Sequence, residues 1–251
     1  MRASGISWCH KILYIESRIM AATSFKYLAL GDSYTVGEGV ETGDSFPFQL
    51  VRTLNETVKK ADNPAEQNPG LPGKQNPKKI FEDPVIIAKT GWTTSELIGA
   101  VNDANLKTNF DIVTLLIGVN NQYRGLAPDE YGLEFGQLAS VALNFAGNNP
   151  SGVFVLSIPD WSAAPFAADR DREMISFTID RFNELNRQIS LRQGFHYIDI
   201  TKGSRDVLND ASLVTKDNLH PSATEYRKWS DQLVPLISHQ LSIQKVDQTA
   251  K

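Results

Sequence analysis

Of the four histidines in this chain, one stands where it could act as a base. His220 lies in "TKDNLHPSATEY", three residues after Asp217, at the junction of a loop and an expected helix. A carboxylate at that spacing can fold back onto the imidazole Nδ1–H, fix the tautomer and leave Nε2 free to take a proton. Such a base needs a nucleophile to deprotonate. Ser33 is the candidate: in "YLALGDSYTVGEG" a short apolar run ends in Gly31-Asp32-Ser33, a small turn that puts a hydroxyl at the end of a buried strand. Cys9, the single cysteine, lies in no such context and can form no internal disulfide. A D-x-x-H pair also occurs at ordinary helix starts, and a serine after a strand can cap a helix or bind phosphate. Other residues have to decide.

Phosphate binding fits poorly. "GDSYTVGEG" lacks the spacing and the lysine of a P-loop. Gly37, Gly39 and Gly43 give G-x-G-x-x-x-G instead of a dinucleotide fingerprint, and "GLPGKQ" (70–75) follows no strand. A metal centre for phosphoester cleavage would have to use Asp32, Asp44, Asp217 and His220, with no H-x-H or H-x-x-x-H cluster to anchor it. No metal and no cofactor is expected. Of the remaining histidines, His10 and His239 read as surface residues and His196 as a structural residue within a strand.

Acyl transfer passes through a tetrahedral oxyanion, which needs N–H donors preorganised around it. Two loops offer them. "LLIGVNNQYRG" ends a strand and carries Asn120, a side-chain amide just beyond the sheet. "IIAKTGWTTSEL" ends another at Gly91, whose backbone N–H can approach a substrate with no Cβ in the way. Thr93 reads as the cap of the helix that follows, and Asp32 as a brace for the serine turn.

The elements that must position these residues alternate. Apolar runs of strand length stand at 27–31, 84–89, 111–118, 152–158 and 195–200, continuous as suits strands buried on both faces. Helical patterns fall between and after them at about 46–60, 94–105, 128–147, 170–192 and 221–242. Ile175, Ile179, Phe182, Leu185 and Ile189 make one apolar helical face. Alternating strands and helices imply an α/β domain: a three-layer α/β/α sandwich on a central five-stranded parallel sheet, flavodoxin-like in organisation. Ligands of such sheets bind beyond the carboxyl ends of the strands, where Ser33, Gly91, Asn120 and the Asp217–His220 segment all fall. Pro221 suits a first helical position, with His220 at the cap.

The domain is expected over 25–242, between an N-terminal extension (1–24) and a tail (243–251), with 61–79 an irregular Pro- and Asn-rich loop. His10, Lys11, Glu16 and Arg18 interrupt every apolar stretch of the extension, so no secretory signal is expected there, and Met20 is an alternative start. The expected location is cytoplasmic. At 251 residues, 41% hydrophobic and 22% charged, the chain has an ordinary globular composition. A net charge of -4 gives no reason to expect a nucleic-acid partner, and no apolar run suffices for a stable membrane association.

Four blocks in chain order now resemble one family, the SGNH or GDSL hydrolases: Ser33 in "GDSY", Gly91 in "KTGW", Asn120 in "GVNN" and His220 in "DNLHP". The resemblance spans 26 to about 240. It implies a serine esterase or acylhydrolase in which Ser33, His220 and Asp217 are catalytic. The backbone N–H groups of Ser33 and Gly91 and the Asn120 side chain would form the oxyanion hole. Two positions depart from the family pattern: Tyr34 stands where leucine is usual, and Asn121 where aspartate is usual. The partner expected is a small ester, with Trp92, Tyr123 and Trp161 as candidate substrate-binding residues and a preference for short acyl groups. Lysophospholipids and thioesters would suit the same set. Rivals of another class are a catalytically inactive binding module and the metal-dependent phosphoesterase.

Overall fold

The computed structural model describes residues 24–61, 80–107 and 109–249. Residues 1–23, with Cys9, His10 and Met20, and nearly all of the loop expected at 61–79 lie outside the described residues.

Five strands form one all-parallel sheet: β1 (Tyr27–Gly31), β2 (Val85–Ala88), β3 (Ile112–Leu116), β4 (Val153–Leu156) and β5 (His196–Ile198). Their order is β2-β1-β3-β4-β5, the doubly wound flavodoxin-like arrangement. Every residue of β1, β3 and β4 is buried, as their unbroken apolar runs require. The edge strands differ from expectation, since β2 is half-exposed and starts at an exposed Val85, and β5 is buried only at Ile198. A strand with a neighbour on one side only, at the rim of the helical layers, loses part of its cover. Apolar residues alone do not reveal an edge.

Five long helices cover the faces: α1 (Phe46–Ala61), α2 (Thr94–Ala104), α3 (Pro128–Phe145), α4 (Arg172–Arg192) and α5 (Ala223–Thr249). α1 packs on α5 at one face, while α3 packs on both α2 and α4 at the other. Each buries a stripe at three- and four-residue spacing. In α1 it is Phe46, Leu50 and Leu54, and in α5 it is Tyr226, Trp229, Leu233, Ile237 and Leu241. A large apolar side chain so buried contributes about 1.5–3 kcal/mol relative to exposure. The face expected on α4 is present, with Ile175, Ile179 and Phe182 buried and Leu185 and Ile189 packed against the core.

Two helix boundaries need correction. α5 runs to Thr249, past the tail boundary expected at 242, and it starts at Ala223, later than Pro221. Pro221 instead pairs with Val214 in an isolated antiparallel bridge, which holds residues 214–221 as a turn and keeps His220 out of the cap position.

Strand register brings the loops of interest to one edge. Gly31 at the end of β1 is level with Ala88 of β2 and Leu116 of β3. The chain leaves the sheet at one height towards Ser33, Gly91 and Asn120.

Candidate active site

Ser33 opens a one-turn helix, Ser33–Val36, directly after β1. Asp32 caps this turn by accepting the Tyr34 N–H at Oδ1, 3.0 Å away, so the aspartate does brace the loop. It is fully buried, and its Oδ2 accepts no hydrogen bond. Burial pushes its carboxyl up to about 7, against the lowering effect of the Tyr34 and Gly118 backbone N–H groups. Ser33 is itself almost buried, with 4% of its surface exposed.

His220 arrives from 187 residues away with Nε2 3.0 Å from Ser33 Oγ. Its Nδ1 lies 2.7 Å from Asp217 Oδ2. The other oxygen of Asp217, Oδ1, accepts from the Thr215 hydroxyl at 2.7 Å and from the Leu219 and His220 backbone N–H groups at 2.9 and 3.0 Å. Partial burial alone would raise the Asp217 carboxyl. The hydrogen bonds from His220, Thr215 and the two backbone N–H groups outweigh it and hold the group at about 2. Asp217 therefore stays an acceptor, the imidazole keeps its proton on Nδ1, and Nε2 is left to accept from the serine. Asn218, left-handed at φ 64°, and the bond from Thr215 N–H to His220 O close the turn that makes this possible.

The oxyanion candidates are tied to one another. Asn120 donates one amide hydrogen to Trp92 O at 2.9 Å, which aims the side chain across the cleft and leaves the second hydrogen available. Gly91 has φ +86°, a conformation that L side chains rarely adopt. Its carbonyl accepts from Arg124 Nη2 at 2.5 Å. Arg124 also pairs with Glu96 at 3.4 Å, and neighbouring Thr90 donates to Glu38. The N–H of Ser33, in the first turn of its helix, has no intrahelical acceptor.

Asn121 serves a different end from Asn120. It is fully buried, accepts from Thr94 N–H at 3.0 Å and donates to Thr94 Oγ1 at 2.6 Å. The loop after β3 is thereby fastened to the start of α2, whose cap is Thr93 in a reciprocal pair with Glu96. Gly118 allows the loop to turn here: its φ is +129°, and a Cβ would come within 2.6 Å of Tyr131.

A cavity of ≈ 230 Å³ opens over Ser33, Gly91, Asn120 and His220. Tyr123 and Trp161 line it; Phe166 and Leu219 complete the apolar side. Trp161 is held by Nε1–H donation to Gln122 Oε1 at 2.7 Å and contacts Tyr123 edge-on at 5.4 Å between ring centres. Trp92, expected among the substrate-binding residues, is half-buried and packs against the core, not in the cavity lining. Tyr34 was noted only as a departure, yet it lines the cavity and sets its ring edge-on to His220, 5.8 Å between centres. Its adjacency to Ser33 was the available signal. His196 stacks on Phe154 within the sheet, 4.6 Å between ring centres, and His239 is exposed. Among the described residues, no group of three or more His, Cys, Asp or Glu side chains is placed to hold a metal ion. No described helix is long and apolar enough to cross a membrane.

Residues 29–228 match the family of GDSL-like lipases and acylhydrolases, four-fifths of the chain and all four blocks. The chain belongs to that family. Membership makes it a hydrolase and accords with the parallel sheet and its helices. Solved structures share the fold at low identity. The acetylxylan esterase Axe2 from Geobacillus stearothermophilus is 16% identical, with a TM-score of 0.60, covering 87% of this chain and 96% of its own. TesA is 15% identical, with a TM-score of 0.59, covering 86% and 99%. The lipase/acylhydrolase from Enterococcus faecalis is 17% identical, with a TM-score of 0.58, covering 86% and 96%. No curated protein matches the chain.

Proposed function

We propose that the protein hydrolyses carboxylic esters of short acyl groups through an acyl-enzyme on Ser33. The observation that carries this reading is the chain of contacts Ser33 Oγ–His220 Nε2 at 3.0 Å and His220 Nδ1–Asp217 at 2.7 Å. Ser33 Oγ attacks the ester carbonyl carbon as its proton passes to His220 Nε2. Asp217, an anion throughout, stabilises the imidazolium and keeps its orientation. The oxyanion is met by the N–H groups of Ser33 and Gly91 and by the free hydrogen of the Asn120 amide. Collapse expels the alcohol, which takes the proton from His220. Water then gives one proton to His220 and its oxygen to the acyl carbon; the second tetrahedral intermediate collapses, Ser33 Oγ leaves and takes the proton back from His220, and the acid is released.

The acetylxylan esterase activity of Axe2, a protein of the same fold, is in keeping with this chemistry. The test is labelling and turnover together. The native protein is expected to react with a fluorophosphonate probe and to hydrolyse p-nitrophenyl acetate. Ser33→Ala and His220→Ala are expected to lose both properties while keeping the native circular dichroism. Unimpaired turnover in either folded variant would overturn the reading, and equal labelling of Ser33→Ala would place the reactive group elsewhere.

A further inference from the structure

Beyond the wall made by Tyr123 and Trp161 lies a second recess of ≈ 420 Å³, to which Gln122, Arg170, Asp171 and Met174 also contribute. The same two aromatic residues line the cavity over Ser33, so the two spaces share one wall, with half-exposed Tyr123 at its rim. The cavity over Ser33 is the smaller of the two, and the bulkier part of a substrate has this recess as its adjoining space.

The lining is specific in its chemistry. Tyr123 is half exposed, at 50%, and offers an aromatic surface at the mouth. Around it stand polar groups with capacity to spare. Gln122 has its carbonyl oxygen committed to Trp161 Nε1–H, which orients the amide and leaves both NH₂ hydrogens to be used. Arg170 is exposed; its backbone N–H donates to Ala167 O, while its guanidinium takes part in no ion pair or hydrogen bond among the described residues. Asp171 gives Oδ1 to the Met174 N–H at the start of α4, and its Oδ2 remains an acceptor.

Met174 and Ile175 give the recess an apolar side, but an alkyl chain there would also strip water from a guanidinium, a carboxylate and an amide and return no hydrogen bond, an unfavourable exchange. An anionic headgroup would meet Arg170 but also Asp171. A ring with several hydroxyl groups satisfies the set. Its hydroxyls donate to Asp171 and accept from Arg170 and Gln122, and its C–H face packs on Tyr123 and on Met174, which also lines the recess. Building on the proposed esterase reaction, we infer that this recess is the leaving-group subsite and that it takes an uncharged sugar ring, so that the substrate is an O-acylated carbohydrate.

The experiment compares kcat/KM for four esters: ethyl acetate, a mono-O-acetylated methyl pyranoside, decyl acetate and a short-chain lysophosphatidylcholine. The native protein is expected to favour the acetylated pyranoside over ethyl acetate by tenfold or more. In Arg170→Ala and Met174→Ala the pyranoside-to-ethyl acetate ratio is expected to fall at least fivefold, and in Arg170→Lys to recover in part. Failure to hydrolyse any of these esters by the folded protein would overturn the esterase reading and this one with it. Ready hydrolysis of ethyl acetate with no gain from the sugar, or ratios unchanged in the variants, would overturn the subsite alone. A preference for decyl acetate or for the lysophospholipid would replace the sugar by a lipid.

Discussion

The Asn120 amide has one hydrogen on the Trp92 carbonyl and one left for an anion forming at Ser33. In the proposed mechanism that donor acts mainly when charge develops, so Asn120→Ala is expected to lower kcat by about 10²–10³ with a smaller effect on KM. Steady-state kinetics with p-nitrophenyl acetate decides this; an unchanged kcat with a raised KM would make Asn120 a ground-state contact. In the proposed mechanism Asp217 acts through the tautomer. Asp217→Asn puts an NH₂ where the carboxylate accepted Nδ1–H, which drives the proton to Nε2 and disables the base. A loss of about 10⁴ in kcat is expected, the usual cost of the wrong tautomer in a serine–histidine–carboxylate set. Asp32 affects stability through its charge. Its folded-state value of about 7 lies above the ~3.9 of an unfolded aspartate. The folded protein therefore holds the extra proton between those limits, and stability is fully present below about pH 4 and declines as pH rises through 7. Asp32→Asn, which keeps an oxygen for the Tyr34 N–H, is expected to flatten that slope and to raise stability at pH 8 by a few kcal/mol at most. Urea unfolding at pH 4, 6 and 8 reads the slope; an equal slope in variant and native protein would mean that the carboxylate is charged throughout.

Each of the loops after β1, β2 and β3 presents a residue to the cleft and is fastened by its neighbours. The Asn121–Thr94 pair is the clearest fastening, two buried hydrogen bonds between the loop after β3 and the head of α2. Asn121→Ala leaves the Thr94 N–H buried with no partner, which is expected to cost about 1–3 kcal/mol of stability. Since Asn120 is the adjacent residue, kcat should fall as well, and a thermal melt alongside kinetics measures both. At this scale the sequence was informative where a rule is local. The long apolar runs located all five strands, and the spacing of Ile175, Ile179 and Phe182 located the buried side of α4. Asp217 and His220, three residues apart, could be paired before any fold was known. It was silent where an interaction is long-range. Nothing adjacent in sequence tells that Arg124 holds the Gly91 carbonyl or that Glu38 accepts from Thr90. The start of α5 was misread because Pro221, a good first helical residue, is drawn instead into a bridge with Val214. Trp92 was expected in the cleft because it follows Gly91, but successive residues of a tight turn point apart, and its ring goes to the core.

Strand order turns these local pieces into one cleft. Reading β2-β1-β3 across the sheet, the chain winds one way from β1 through α1 to β2 and the other way from β3 onward. The loops after β1 and β3 diverge at that switch, and a crevice is left between them where open α/β sheets bind ligands. Ser33 lies on one side of it and Asn120 on the other, and the turn at 214–221 brings His220 over the top. The space so formed is ≈ 230 Å³ and is bounded by Tyr34, Val119, Trp161 and Leu219. Tyr34 and Trp161 are themselves almost fully buried, and Trp161 is pinned by Gln122, so these walls have little freedom to retreat. A long acyl chain gains about 0.8 kcal/mol for each methylene it buries, but only if a groove continues along it. Here, among the described residues, no such groove continues from the cavity on the acyl side, and the adjoining recess, inferred above to take the leaving group, carries Arg170, Asp171 and Gln122. Activity on p-nitrophenyl esters is therefore expected to be greatest from acetate to butyrate and to fall at least tenfold in kcat/KM by octanoate. Tyr34→Leu, which restores the smaller residue usual in the family, is expected to move the optimum towards longer chains. Measuring kcat/KM from two to sixteen carbons for both proteins tests the expectation. A native optimum at twelve carbons or more would mean that the cleft opens further than its walls allow and that the substrate is a lipid.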